Sequence, residues 1–259
     1  MDRLKSYFIF LCLLAFCGVA QAEPLEITAD KVLEWHRDQQ KIIARGHAKA
    51  SQGESSLSAD LMTATYLEGE KENKFLPKTL IAEKHVVIQT ADGKAYGDKA
   101  VYDIKNKTAT LTGTDLKMIS KNMVLTAQDR FEYQIELGKL SAIGRAKMVQ
   151  ATDKGDNTIE ADTLSASFQK NSDKNKRELE RMDATGNVII TTPTEIIKGD
   201  EGFFNKITNI AELSGNVSVV RGQNVLEGDL ATVDLNTNIS TLSGSKTEDG
   251  RVRGVFYPE

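Results

Sequence analysis

The chain has 259 residues, 27% of them charged and 40% hydrophobic, and a formal net charge of −4. That balance argues against nucleic acid as the main partner, because a binder of the phosphate backbone carries a basic excess. The only cysteines, Cys12 and Cys17, lie near the N-terminus, so the rest of the chain has neither disulfide nor thiolate chemistry to draw on.

Residues 1–22 read as a signal peptide. Arg3 and Lys5 give a basic start, Phe8 to Phe16 is an apolar run too short for a membrane-spanning helix, and Ala20-Gln21-Ala22 is an A-x-A cleavage site. A lipid-modified Cys17 is the rival reading, but Phe16 stands before it where a small residue is expected. The mature chain, 23–259, is expected to be exported and soluble, since no later apolar run approaches membrane-spanning length.

From Asp30 onward one unit recurs: Gly, a short β-branched run, a polar turn, then Ala-Asp or Gly-Asp, then an alternating strand. The aspartates are Asp30, Asp60, Asp98, Asp129, Asp162, Asp200 and Asp229, and glycines close phrases such as Leu111-Thr112-Gly113 and Leu213-Ser214-Gly215. A longer repeat overlies this one. Residues 46–113 resemble 144–215, with Asp60 matching Asp162, Asp98 matching Asp200 and Tyr102 matching Phe204. The charged insertions also match, 68–78 in one half and 169–181 in the other, and are expected to be solvated loops.

The segments after each aspartate alternate. Met62, Ala64 and Tyr66 share a face, as do Ala100, Tyr102 and Ile104, then Phe131, Tyr133 and Ile135, then Leu164, Ala166 and Phe168, and last Ala231, Val233 and Leu235. Asp200 is followed less regularly, by adjacent Phe203 and Phe204. Helix competes only at 174–182, inside an insertion. Dense turn signals such as Asp92-Gly93 and Gly222-Gln223 complete an all-β reading. One unit cannot bury its apolar face alone, so the units are expected to stack as a solenoid. With one strand per sheet from each, about seven units at ~4.8 Å would span roughly 34 Å. The terminal strands, 25–29 and 252–257, are expected to be open edges.

Sites for chemistry are missing. His47 and His85 stand where Asn187 and Asn216 stand in other units, which makes them repeat variants rather than ligands. No Cys/His cluster, nucleophile motif or phosphate-binding loop occurs, so no catalytic residue, metal or cofactor is expected. The recurring aspartates are read as corner residues bonding their own backbone. The aromatic row Tyr66, Tyr102, Tyr133, Phe168 and Phe204 is read either as core or as the lining of an elongated apolar groove, which suits a lipid.

The opening Ile27-Thr28-Ala29-Asp30, the Gly97-to-Asp103 run (Gly-Asp-Lys-Ala-Val-Tyr-Asp) and the closing Gly250-to-Pro258 phrase resemble the OstA-like family over nearly the whole mature chain. The resemblance implies a β-jellyroll, a twisted V of two antiparallel sheets. It also implies a periplasmic, non-enzymatic protein that binds lipopolysaccharide with the acyl chains inside the V. Such a protein would stack head to tail with further copies of itself and bridge an inner-membrane anchor subunit to an outer-membrane translocon. The lining residues it implies are Leu25, Ile27, Val86, Ile88, Tyr102 and Ile104. Repeat symmetry adds Phe131, Tyr133 and Phe168, with Asp103 and Glu132 facing water.

Three alternatives stand beside this reading. An anchor subunit of the same system would keep its N-terminal helix uncleaved. A polysaccharide-acting β-solenoid enzyme would need clustered acids in one groove. A structural or adhesive repeat would have a filled core and bind no lipid.

Overall fold

The computed structural model describes residues 25–68, 75–171, 176–237, 239–244 and 250–257. The expected leader with its cysteines, and the insertion tips at 69–74 and 172–175, lie outside those residues. The strands are β1 (Glu26–Thr28), β2 (Val32–His36), β3 (Lys41–Gln52), β4 (Ser55–Glu68), β5 (Phe75–Thr90), β6 (Gly93–Asp103), β7 (Thr108–Thr112), β8 (Lys117–Ser120) and β9 (Met123–Thr126). They continue with β10 (Arg130–Gln134), β11 (Lys139–Thr152), β12 (Gly155–Asn171), β13 (Lys176–Thr191), β14 (Ile196–Asn205), β15 (Ile210–Arg221), β16 (Asn224–Asp234), β17 (Ile239–Ser243) and β18 (Arg253–Val255). One 3-10 turn, Arg37–Gln39, is the only helical element among the described residues.

All pairing is antiparallel, and most of it joins chain neighbours. Each long strand breaks register in its middle, between Arg45 and Ala48 in β3, Glu83 and Val86 in β5, Ile143 and Ala146 in β11, Thr185 and Val188 in β13, and Ser214 and Val217 in β15. At each break two residues take positive φ. They are Gly46 and His47, Lys84 and His85, Gly144 and Arg145, Gly186 and Asn187, and Gly215 and Asn216. A double left-handed step bends a strand sharply, so one half of each strand lies in one sheet and the other half in a second. Elsewhere the same corner is an outright break, separating β1 from β2, β7 from β8, β9 from β10 and β17 from β18. The result is the expected all-β, repeat-built V of stacked antiparallel strands.

The corner aspartates work differently from the sequence reading. Asp30, Asp60, Asp162 and Asp200 do not turn back on their own backbone but reach the bulge of a neighbouring strand, and Asp98 accepts from Thr114 N at 2.8 Å across the break between β7 and β8. Asp30 Oδ2 lies 2.9 Å from His47 Nδ1 and Asp60 Oδ2 lies 2.9 Å from His85 Nδ1, while Asn187 and Asn216 donate to Asp162 and Asp200 at 2.9 and 2.8 Å. The carboxylate occupies the space a side chain would need: a Cβ on Gly186 would sit 2.2 Å from Asp162 Oδ2. Glycine precedes His47, Asn187 and Asn216 for that steric reason as well as for its φ, while Lys84 stands before His85.

Two further expectations change. Each unit supplies two levels to each sheet rather than one, so the stack is about 60 Å long at ~4.8 Å per strand. The insertions are hairpin extensions more than loops, since β4 continues to Glu68 and β12 to Asn171. The stretch with a helical reading is strand from Lys176 onward. There Leu179 is buried opposite Phe168 while Glu178 pairs with Gln169, and an available strand edge outweighs local helix propensity.

Candidate functional site

The registers align the inward side chains into unbroken rows. On the first sheet one row runs Leu33, Ala44, Met62, Ala82, Ala100, Leu111, Phe131, Ala142, Leu164, Ala184, Gly202, Leu213, Ala231, Leu242. The next row toward the open side passes through Trp35, Leu80, Tyr102, Tyr133, Leu140, Met182, Phe204 and Val233 in the same registers. Facing them, the second sheet carries Ile27, Ala50, Leu57, Ile88, Ala95, Met118, Leu125, Met148, Ile159, Ile190, Ile197, Val219 and Leu226. Near the corner the second sheet pairs alanine with alanine or valine with glycine, and leucines of the first sheet fill the space over the glycines. A Cβ on Gly97, Gly199 or Gly228 would lie 2.9, 2.6 or 2.9 Å from Leu111, Leu213 or Leu242. The sheets therefore touch at the corner and diverge from it.

Between them lies an apolar space of ≈ 490 Å³, counted out to its open side, bounded by Leu57, Ile88, Tyr102, Met118, Phe131 and Tyr133 among others. A second of ≈ 390 Å³ is lined by Met123, Leu125, Met148, Leu164, Leu179 and Met182. Leu140 borders both.

Of the residues expected to line a groove, four meet here: Ile88, Tyr102, Phe131 and Tyr133. Phe131 and Tyr133 are core, only 2% and 3% exposed, whereas Tyr102 is half-buried. Val86 is buried at the corner opposite Gly97, away from the cavity. Ile27 is half-buried at the first level, and Leu25 is exposed just before it. Ile104 and Phe168 lie one step nearer the mouth, with Tyr66 and Ile135, on a ladder in which each N–H donates to a backbone carbonyl of the preceding hairpin arm or turn. The aromatic row is thus two rows: Tyr102, Tyr133 and Phe204 inside, Tyr66 and Phe168 at the lip. Tyr66 also accepts from Trp35 Nε1 at 2.7 Å.

Glu132 faces out, within reach of Arg130 and Gln134. Asp103 also faces out and accepts from Asn106 N at 2.9 Å, which holds its pKa below the ordinary carboxylate value. Asp234 does the same for its turn, bonded by Asn236 N at 2.8 Å. Phe203, the residue that broke the alternation, lies outside under the Arg181 guanidinium, 4.0 Å from it.

Sequence reasoning missed Met118, Met123, Met148, Met182 and Leu140. Its repeat reading followed the strands after each aspartate, all on the first sheet, and only the resemblance added Ile27, Val86 and Ile88 of the second. The alternation in Met118 to Leu125 and Met148 to Ile159 would have revealed the second. No group of three or more potential metal ligands occurs among the described residues, and no carboxylate stands in the groove's interior rows.

The family model for the LptA/LptD N-terminal domain of lipopolysaccharide transport proteins matches residues 26–139 and 145–239. No curated protein sequence matches significantly. Among solved structures the chain is similar to LptH from Pseudomonas aeruginosa, described as the LptA-homologous periplasmic component of the lipopolysaccharide transport device. The identity is 12%, the match covers 91% of this chain and 96% of that one, and the TM-score is 0.23.

Proposed function

Because the chain belongs to the LptA/LptD N-terminal domain family of lipopolysaccharide transport proteins, we propose that it is a non-enzymatic lipopolysaccharide carrier of the LptA type. In this reading residues 1–22 direct it to the periplasm and are removed. The acyl chains enter the V from its open side and lie along the inward rows, while the sugar headgroup stays in water. Each buried methylene is worth about 0.8 kcal/mol, so even partial insertion of one chain is strongly favourable.

The observation that carries the reading is the continuity of the inward rows. They run without a polar break from the first strands through β16, where the second row ends at Val233 opposite Ser240 of β17, so a chain could slide along them without crossing water. Both ends of the stack have unpaired edges, β1 and β2 at one and β17 and β18 at the other. Unpaired edges accept further strands. We assign one end to an inner-membrane anchor subunit, the other to an outer-membrane translocon, and both to further copies stacked head to tail.

A photo-crosslinking scan tests this. A photoreactive residue replaces Tyr102, Tyr133, Asp103 and Glu132 in turn, in protein recovered from its native envelope. Lipopolysaccharide adducts are expected at the two tyrosines and not at their outward neighbours. A second reading, a structural or adhesive solenoid with a filled core, is favoured by the tight burial of Phe131 and Tyr133. Folded protein without adducts at any position would decide for it.

A further inference from the structure

The groove is not uniform along its length. Between β7 and β12 the second inward row is closed, with Ala109, Tyr133, Leu140 and Ala166 all buried. Beyond β12 both sheets open. Met182, Phe204, Ala211 and Val233 on one side and Ile190, Ile197, Val219 and Leu226 on the other are half-buried. Among the described residues, Leu213 and Val217, both at the corner, are the only buried hydrophobic residues after Val188.

The lips change chemistry over the same stretch. On the first sheet the ladder at the mouth places Tyr66, Ile104, Ile135, Phe168, Lys206 and Leu235 in equivalent positions, each N–H donating to a backbone carbonyl of the preceding hairpin arm or turn. Lys206 is the only cation among them. On the second sheet the equivalent positions, two residues past the inward row, are Gln52, Thr90, Ser120, Gln150, Thr192 and Arg221. Arg221 is the only cation there. Lys206 immediately follows β14 and Arg221 ends the adjacent β15, one on each lip of the open stretch. Lys78 and Lys107 hold the acceptor positions of the first ladder, but in its earlier half, and Lys107 is ion-paired with Glu136.

Lys206 is half-buried. Its backbone N–H donates to the Glu180 backbone carbonyl at 2.8 Å. Arg221 faces Glu195 at 3.4 Å, an exposed and long contact that holds the guanidinium only weakly. Lys206 stands in a row that is otherwise apolar, where a cation weakens the groove unless its charge is used; Arg221 stands in a row that is otherwise neutral and polar. A lysine stem can lie along the apolar wall with its ammonium at the water line.

We propose that Lys206 and Arg221 form a cationic clamp across the mouth of the groove. The clamp holds the phosphates of a lipid whose acyl chains lie among Phe204, Ile197, Val219 and Val233. This rests on the carrier reading and assigns the headgroup its place in it. Arginine and lysine pair with phosphate through charge-assisted hydrogen bonds.

The test uses the full mature chain, with lipid A carrying its phosphates, dephosphorylated lipid A and inorganic phosphate as probes. Unmodified protein is expected to prefer phosphorylated lipid A, the more so at low salt. The double variant Lys206→Gln/Arg221→Gln should bind it about tenfold or more weakly. Its affinity for the dephosphorylated lipid should be unchanged. The charge-keeping pair Lys206→Arg/Arg221→Lys should retain most of the preference, which separates loss of charge from loss of folding. Equal binding of both lipids by the unmodified protein would overturn the clamp while leaving the carrier standing. Binding of neither lipid would overturn the carrier reading, and the clamp with it. Inorganic phosphate competing at concentrations where it binds alone, with no preference between lipids, would mark a free-anion site and overturn the assignment to lipid.

Discussion

Leu213 and the two glycines it fills against offer the sharpest test of how the sheets meet. Leu213 is 5% exposed. A Cβ on Gly199 would lie 2.6 Å from its Cγ, and one on Gly202 would lie 2.9 Å from its Cδ1. Gly199 has an ordinary negative φ, so alanine there meets no backbone strain and would by itself gain about 0.5–1 kcal/mol over glycine in a strand. Against that, a methyl forced against a buried leucine costs about 1–3 kcal/mol. Taking the middle of each range, Gly199→Ala is expected to destabilise by about 1 kcal/mol. Leu213→Ala removes the knob and leaves a void, at a cost of about 2–5 kcal/mol. In the double variant the new methyl projects into that void. The two costs should then fall short of additivity by about 1–2 kcal/mol, within the range seen for residues in contact. Urea unfolding followed by far-UV circular dichroism gives each midpoint and slope. Additivity within about 0.5 kcal/mol, or a neutral Gly199→Ala, would refute the view that the sheets are keyed together by leucines in glycine gaps.

Gly186→Ala meets both a φ of +78° and the Asp162 carboxylate. It should destabilise by about 2 kcal/mol or more, whereas Asp162→Asn, which keeps the acceptor for Asn187, should be near neutral; thermal melts of the two variants compare them. The pKa values of Asp103 and Asp234 are held down by the backbone N–H groups of Asn106 and Asn236. Their contribution to stability is complete above the ordinary carboxylate pKa and lost as pH falls through the depressed values. Asn at both positions should flatten the acid limb of a stability–pH curve, and an unchanged limb would exclude these turns as its source. Trp35, the only tryptophan, is 59% exposed at the first level of the stack. If copies add end to end, its fluorescence should shift to the blue as protein concentration rises. Oligomers seen by sedimentation without that shift would place the contact away from this end.

Period-two alternation carried the all-β reading, because side chains two apart on a strand share a face whatever the strand pairs with. It placed Tyr102 and Tyr133 inward and Glu132 outward, as observed. It failed at Phe203 and Phe204 for a local reason: Phe203 is on the wet side and covers itself with Arg181. It also failed to separate Tyr66 and Phe168 from the inner aromatics. A β-bulge inside each of those hairpins, between Thr65 and Tyr66 and between Ser167 and Phe168, shifts the register by an amount that spacing does not reveal.

The corners show the division most clearly. The recurrence of Gly before His, Arg or Asn, and of Asp one strand away, is written in the sequence, and with it the number and order of the repeating units. That Asp30, Asp60, Asp162 and Asp200 bond a neighbouring strand's bulge and not their own backbone is a long-range pairing, and the residues alone do not state it. Nor do they state which apolar side chains close into core. Ala142 and Ala184 stand in equivalent places in one row, yet one is fully buried and the other half-exposed. The outcome depends on how far the opposite sheet has diverged at that level, and sheet divergence is set by the summed geometry of every bulge. The amino-acid order therefore determined the rows, and the three-dimensional packing decided where they are sealed and where they stand open.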